Sequence, residues 1–178
     1  MTISPLTRSF QETGAAQVDP TELKQAMRRL AGGISIITAG VDGTRTGATV
    51  TSATALSVEP PVMIVNINRS SSSFPIIRDH GHFAVNILTA AQRPIADRFA
   101  GVGGVKGTDR YLEAEWFTLA SGAPALKDAL AVIDCEVDEI IERHSHGIIL
   151  GRVVSIVTGD GAPLVYHNGR YGEFLGKL

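Results

Sequence analysis

The residues that could do chemistry are mostly neutral hydrogen-bonding side chains, gathered in two short segments. Residues 46–54 combine threonine and serine hydroxyls with small apolar side chains, so they could offer donors beside space for a flat ligand. Residues 68–72 read Asn-Arg-Ser-Ser-Ser and precede a short helix expected over 74–79. Hydroxyls, a cation and helix N-terminal amides are the donors that bind phosphate. The residues alone equally allow a strand of small residues packed on a helix and a serine-rich capping loop.

Three other features point away from nucleotide-loop, metal and nucleophile chemistry. The glycine loop 101–107 fits neither G-x-G-x-x-G nor a P-loop, because Lys106 occupies the place of the last glycine, and we expect a surface loop or lid. His144 and His146 would share one face of a strand, but no clear third ligand accompanies them, so no metal site is predicted. Cys135 lies in mid-strand and is expected to be a small buried filler.

The composition describes one ordinary domain and excludes several classes of partner. Of the 178 residues, 44% are hydrophobic and 19% are charged, which allows a real core. A net charge of -2 provides no basic field, so nucleic acid is not an expected partner. No apolar run approaches the length of a membrane span, so we expect no membrane association. A single cysteine is compatible with a reducing compartment, and we expect a cytoplasmic protein.

The chain begins with a polar segment and a capped helix. Residues 1–18 show no period and are expected to form a flexible arm, which leaves 19–178 as the domain. Asp19 and Pro20 are a good N-cap and first helical residue. The apolar residues that follow at helical spacing, and that predict one buried face, are Leu23, Ala26, Met27, Leu30 and Ala31.

Beyond the first helix, the period changes to that of strands. Strands are expected over 34–39, 62–67, 83–88, 132–140 and 146–157, with Gly151 marking a bulge in the last. Further helical segments are expected over 89–100, capped by Thr89, and over 124–130. Because strands arrive in runs with few helices between them, an antiparallel barrel with accessory helices is favoured over βαβ alternation.

Five segments, taken in order, resemble the flavin reductase-like family, the small reductase components of two-component monooxygenases. These are Gly47 to Pro61 with its Thr/Ser/Ala cluster and Pro-Pro, Val65 to Ser73, Phe83 to Leu88, His146 to Val153, and Leu164 to Tyr171. The resemblance covers about residues 22–176. One departure is Ser145, because family members often carry aspartate directly before the strand histidine.

The resemblance implies a fold and an activity. The fold is mainly β, a six-stranded antiparallel Greek-key split barrel that binds FMN, with peripheral α-helices. The activity is hydride transfer from NADH or NADPH to FMN, or to FAD, in a homodimer that supplies reduced flavin to a partner monooxygenase. The alternatives are a non-catalytic flavin-binding module and a pyridoxamine-phosphate-oxidase-like flavin oxidase. The oxidase ranks last because no extra basic cluster is present for a substrate phosphate.

The resemblance also implies roles for particular residues. Contacts to the isoalloxazine ring are expected from Thr49, Val50, Thr51, Ser52 and Ala53. Contacts to the flavin phosphate are expected from Asn68, Arg69, Ser70, Ser71 and Ser72. Arg98 and Phe99 are expected near the flavin, and Tyr171 either lines the cleft or packs. His146 is the expected catalytic residue and meets the nicotinamide or closes over the flavin, although the cofactors themselves carry the hydride chemistry.

Overall fold

The computed structural model describes residues 18–174 and 176. The predicted flexible arm over 1–18 therefore lies outside the described residues, apart from Val18. The helices are α1 (Pro20–Met27), α2 (Ser73–His80) and α3 (Arg93–Phe99). The strands are β1 (Gly32–Gly33), β2 (Ser35–Ala39), β3 (Thr46–Val50), β4 (Thr54–Ser57), β5 (Val62–Asn68), β6 (His82–Ile87), β7 (Trp116–Thr118), β8 (Pro124–Leu126), β9 (Ala131–Arg143), β10 (His146–Thr158), β11 (Leu164–His167) and β12 (Arg170–Glu173). No helix in this part of the chain is long and apolar enough to cross a membrane.

The main sheet is strongly curled. Its seven strands are all antiparallel and run in the order β3-β2-β6-β9-β10-β5-β4, so β3 and β4 are its opposite edges. A flat sheet of this size would hold its edges about 29 Å apart at ~4.8 Å per strand. Yet only residues 51–53 connect the two edges, and such a link reaches at most about 14 Å. The sheet must therefore roll up until its edges meet at this link.

The mainly-β architecture with peripheral helices is confirmed, but the main sheet contains seven strands, not six. The extra strand arises because the segment 46–57 supplies one strand to each edge of the sheet. Two smaller sheets accompany it: β1, β11 and β12 form one, and the β7–β8 pair forms the other.

Two apolar clusters lie on opposite faces of the curled sheet. The inner cluster joins strands β2, β5, β6, β9 and β10 to α2, with Phe83, Ile149 and Phe74 among its buried members. The outer cluster packs α3, β8 and the segment before β7 against β2 and β6. Alternate residues of β2 contact the two clusters, as with Ile36 in the outer one and Ile37 in the inner one. All five residues of β2 are therefore buried, including the polar Ser35 and Thr38.

Several local expectations are confirmed. The Thr21 amide donates to the Asp19 carboxylate at 2.8 Å, which caps α1. The Thr89 amide donates to the Gln92 side chain at 3.1 Å, so the third helix begins with a capped 3₁₀ turn. The pairing of β9 with β10 shifts between Leu150 and Gly151, where the bulge was expected.

The helical turns predicted over 124–130 are wrong. Residues 124–126 form β8, which pairs with β7. The Leu126 amide donates to Asn86 Oδ1 at 2.7 Å, and the Thr38 hydroxyl donates to the Pro124 carbonyl. Buried polar side chains of the main sheet thus satisfy this backbone, and the segment needs no helical hydrogen bonds.

The buried face predicted for α1 is also wrong. The helix ends at Met27, and Leu23, Met27 and Leu30 are 60%, 54% and 65% exposed. An apolar stripe at helical spacing indicates a helix face that is normally buried against another part of the protein or against a partner. Among the described residues, no element buries this face of α1.

Candidate functional site

The expected ring-binding segment lies where the two edges of the main sheet meet. Thr49 and Val50 end β3, and residues 51–53 form the link to β4. The amide N–H groups of Thr51 and Ser52 find no acceptor in the part of the chain that the structure describes. The link therefore presents backbone donors that lack a protein acceptor, the Thr51 and Ser52 amides among them, and its side chains are small.

The side chains of this segment differ in what they can still offer a ligand. The Thr49 hydroxyl donates to the Ala96 carbonyl of α3 at 2.6 Å, so it anchors the helix. The Ser52 hydroxyl makes a longer bond of 3.3 Å to the Asn66 carbonyl. Thr51 is exposed, while Val50 and Ala53 are half-buried. The backbone of this link, more than its hydroxyls, is the available donor set.

The expected phosphate-binding segment forms the turn that starts α2. Asn68 Oδ1 accepts from both the amide and the hydroxyl of Ser70, each at 2.9 Å, which closes the turn. The Ser72 hydroxyl lies 3.2 Å from that of Thr46, so the turn sits beside the start of β3. The Ser71 hydroxyl is buried and has no hydrogen-bond partner among the described residues. Ser71 is thus a buried donor without an acceptor, which is rare in folded proteins.

Arg69 is held by the turn between β9 and β10. Its guanidinium pairs with Glu142 at 2.6 Å and donates to the His144 carbonyl at 3.1 Å. Both partners of the ion pair are nearly half exposed, so the pair adds little stability. Its geometric effect is to hold residues 68–72 against the hairpin that carries His146.

His146 begins β10 and lies opposite Asn68 in the β5–β10 register. Its Nδ1 atom is 2.9 Å from the Ser145 hydroxyl, and its side chain is exposed. His144 instead occupies the β9–β10 turn with a φ of 50°. The shared strand face that would let the two histidines bind one metal is therefore not formed.

Arg98 and Phe99 pack the outer layer against β3. The Arg98 guanidinium pairs with Glu113 at 2.9 Å and donates to the Asp109 carbonyl at 2.7 Å. Phe99 is only 2% exposed, and a Cβ placed on Gly47 would lie 2.7 Å from its ring. Both side chains hold this layer in place, and the Phe99 ring has little surface for a ligand.

Sequence reasoning missed two residues that cover the free edge of β3. Arg110 donates to the Gly47 carbonyl at 2.7 Å, and the Tyr111 hydroxyl donates to the Thr46 carbonyl. Burial raises the pKa of Tyr111 above its usual range, so it stays a neutral donor. Because both side chains bond to backbone carbonyls, no sequence motif identifies Arg110 or Tyr111 in advance.

A cavity of about 560 Å³ lies between α1 and this link. Met27 and Leu30 form one wall, and Thr51 and Tyr166 belong to the opposite side. Tyr171 packs edge-on against Tyr166, with ring centroids 5.5 Å apart. Burial, together with Asp97, raises the pKa of Tyr171. Tyr171 therefore supports a residue that lines the cavity next to the free amides.

Comparisons with known proteins place this arrangement in a family. The model of the flavin reductase like domain matches residues 27–175. The chain is 34% identical to the reductase component of the 4-nitrophenol 4-monooxygenase/4-nitrocatechol 2-monooxygenase of Rhodococcus opacus, over 89% of this chain and 83% of that protein. It is 32% identical to FMN reductase (NADH) RutF 2 of Methylorubrum extorquens strain PA1, over 89% and 91% of the two chains.

A solved structure of a flavin-reducing enzyme also has a fold similar to that of this chain. The NADH:FAD oxidoreductase SgcE6 of Streptomyces globisporus C-1027, in complex with NAD and FAD fragments, superposes with a TM-score of 0.80. The two chains are 25% identical, and the match covers 90% of this chain and 98% of that one. The chain, with its rolled antiparallel sheet, therefore belongs to the flavin reductase like domain family.

Proposed function

We propose that the protein is an NAD(P)H:flavin reductase. It reduces FMN or FAD by hydride transfer and supplies the reduced flavin to a partner flavin-dependent monooxygenase. The observation that carries this proposal is the pair of free amides at Thr51 and Ser52 in a chain of this family, where Thr51 also lines a cavity of about 560 Å³. Relatives named as an FMN reductase (NADH) and as a monooxygenase reductase component support the same reaction and its flavin and nicotinamide cofactors.

The described residues fit a flavin at two places. The Thr51 and Ser52 amides can donate to acceptor atoms at the edge of a flat ring, and Ala53 beside them leaves room for it. The Ser71 hydroxyl and the start of α2 suit a phosphate, because a helix N-terminus attracts anions. No acidic residue lies in the first turn of α2 to oppose that charge. A flavin bound this way supplies the ring that accepts a hydride, while the protein binds and orients both partners.

We further propose that the main sheet is the split barrel of the family, within one domain over 19–178. The seven strands become six if 46–57 is counted as a single strand that serves both edges. Cytoplasmic location stays a prediction.

His146 is proposed to position the nicotinamide, not to transfer a proton. Its exposed imidazole stands beside Asn68, at the edge of the proposed phosphate site. We expect His146→Ala to raise the KM for NADH by roughly tenfold while kcat changes less than KM. Steady-state kinetics with saturating FMN measure both constants. His144→Ala, in the neighbouring turn, is the matched control. A large loss of kcat at saturating NADH would contradict a positioning role.

The exposed apolar face of α1 is proposed to pack on a second copy of the chain. Leu23 and Met27 of this helix, and Leu30 just after it, are all more than half exposed, and homodimerisation would bury them. We expect Met27→Asp to convert a dimer into a monomer, because a buried carboxylate is costly. Multi-angle light scattering gives the mass directly. Glu22→Ala, on the same helix, should stay dimeric, and a monomeric wild type would overturn the proposal.

An anaerobic spectrophotometric assay tests the proposed function itself. The purified protein is mixed with NADH or NADPH and an excess of FMN or FAD. Loss of flavin absorbance over many turnovers would establish a reductase that releases its product, and would rank both cofactor pairs. Tight flavin binding without bleaching would instead identify a flavin-binding module.

A further inference from the structure

A second cleft, distinct from the cavity beside α1, lies at the turn between β2 and β3. It measures about 450 Å³ and combines a carboxylate, a cation and two aromatic side chains from the β7–β8 pair. These residues are Asp42, Arg45, Trp116 and Phe117. Phe117 is 38% exposed, whereas Trp116 is held in place by a bond from its indole nitrogen to the Tyr111 carbonyl at 3.0 Å.

Arg45 is positioned by the protein but not neutralised by it. Its Nε donates to the Asp42 carbonyl at 3.2 Å, and its guanidinium lies 4.8 Å over the Tyr111 ring. Among the described residues, it forms no salt bridge, and its terminal nitrogens donate to no protein acceptor. A half-buried, oriented guanidinium with two free nitrogens is suited to bidentate contact with a phosphate.

One step along the chain connects the cleft to the proposed phosphate site. Arg45 immediately precedes Thr46, whose hydroxyl is 3.2 Å from that of Ser72 at the start of α2. Arg45 of the cleft, Thr46 with its Ser72 contact and the free amides of the link therefore follow one another along the chain, just before, within and just after β3. A molecule with a flat ring, a pyrophosphate and a second ring could follow the same order.

We propose that this cleft binds the adenylate half of a dinucleotide, an inference that rests on the proposed function. Arg45 holds a phosphate, and Phe117 with Trp116 provides the apolar surface on which an adenine stacks. Asp42 accepts from the ribose hydroxyls. The adenylate could come from FAD or from the nicotinamide dinucleotide, and the two sources predict different results.

The test measures equilibrium binding without turnover. Titration calorimetry gives the Kd of FAD, FMN and 5′-AMP for wild type, Arg45→Ala, Phe117→Ala and the control Arg78→Ala, an exposed arginine of α2 outside the cleft. If FAD is the source, Arg45→Ala should weaken FAD and 5′-AMP binding roughly tenfold to a hundredfold and leave FMN nearly unchanged. Phe117→Ala, a change at a partly exposed residue of β7, should act in the same direction.

A kinetic measurement tests whether the adenylate belongs to the nicotinamide dinucleotide instead of FAD. If the adenylate belongs to NADH, Arg45→Ala should raise the KM for NADH with FMN as acceptor and leave the Kd of FAD unchanged. Equal losses for FMN and FAD would overturn the proposal, because Arg45 would then serve the flavin phosphate. Unchanged binding of all three ligands together with an unchanged KM would overturn it too. A wild type that binds these ligands but reduces no flavin would defeat the proposed function and leave this inference standing.

Discussion

The double variant Ser71→Ala, Ser72→Ala should bind FMN more weakly by about 1–3 kcal/mol, or roughly 5- to 150-fold in Kd. The buried Ser71 hydroxyl has no partner in the described part of the chain, so a phosphate would gain a desolvated donor there. Ser72 is exposed and its hydroxyl lies near that of Thr46. Most of the loss should therefore appear already in Ser71→Ala.

Riboflavin makes this measurement specific, because it carries the ring without the phosphate. Quenching of flavin fluorescence gives both affinities, and the variants should leave riboflavin binding unchanged. Ser70→Ala is the matched control, since that hydroxyl is already bonded to Asn68. An equal loss for FMN and riboflavin would show that these serines do not contact the phosphate.

Gly147→Ala is expected to destabilise the fold. A Cβ at this position would lie 2.2 Å from Cε2 of Phe74, which is only 4% exposed inside the inner cluster. Overpacking of this kind costs about 1–3 kcal/mol and sometimes more. Chemical denaturation should therefore show a lower free energy of unfolding, with a fall in the midpoint at an unchanged slope.

Gly172→Ala is the matched control for the Gly147 variant. It also replaces a strand glycine, but its new Cβ would meet no atom within 4 Å. The control should be neutral or slightly stabilising, because alanine restricts the unfolded chain. Adding Phe74→Leu to Gly147→Ala should recover part of the loss. Wild-type stability in Gly147→Ala would show that the sheet adjusts freely around α2.

The parts of the fold that the sequence predicted well are those with strong local signals. The strands around Phe83 and Ile149, the Gly151 bulge and the Thr89 cap each depend on a pattern within a few residues. The segment 124–126 failed because Asn86 and Thr38, its hydrogen-bond partners, are distant in sequence. Local propensity contains no information about such partners.

In the candidate site, too, local sequence patterns were visible in advance and long-range contacts were not. The segments containing Ser52 and Ser71 could be singled out as candidates, because clustered small polar residues are visible in a sequence, and their contact with a flavin stays a prediction. The engagement of the Thr49 hydroxyl with α3 was not visible, because its acceptor is a backbone carbonyl. Arg110 escaped notice for the same reason. The apolar face of α1 shows a different limit of sequence reasoning. A periodic apolar stripe predicts that a helix face is buried, but it does not identify the element or molecule that buries it.

The three-residue link between β3 and β4 has a mechanical consequence. The residues that close the seam of the rolled sheet are the same ones that offer free amides to a ligand. A molecule bound there braces the seam, so its binding energy adds to the stability of the whole sheet. Amide hydrogen exchange along β3 and β4 should slow on binding and quicken on release. Release of product would then lower the stability of the sheet, with the largest change in exchange at the seam.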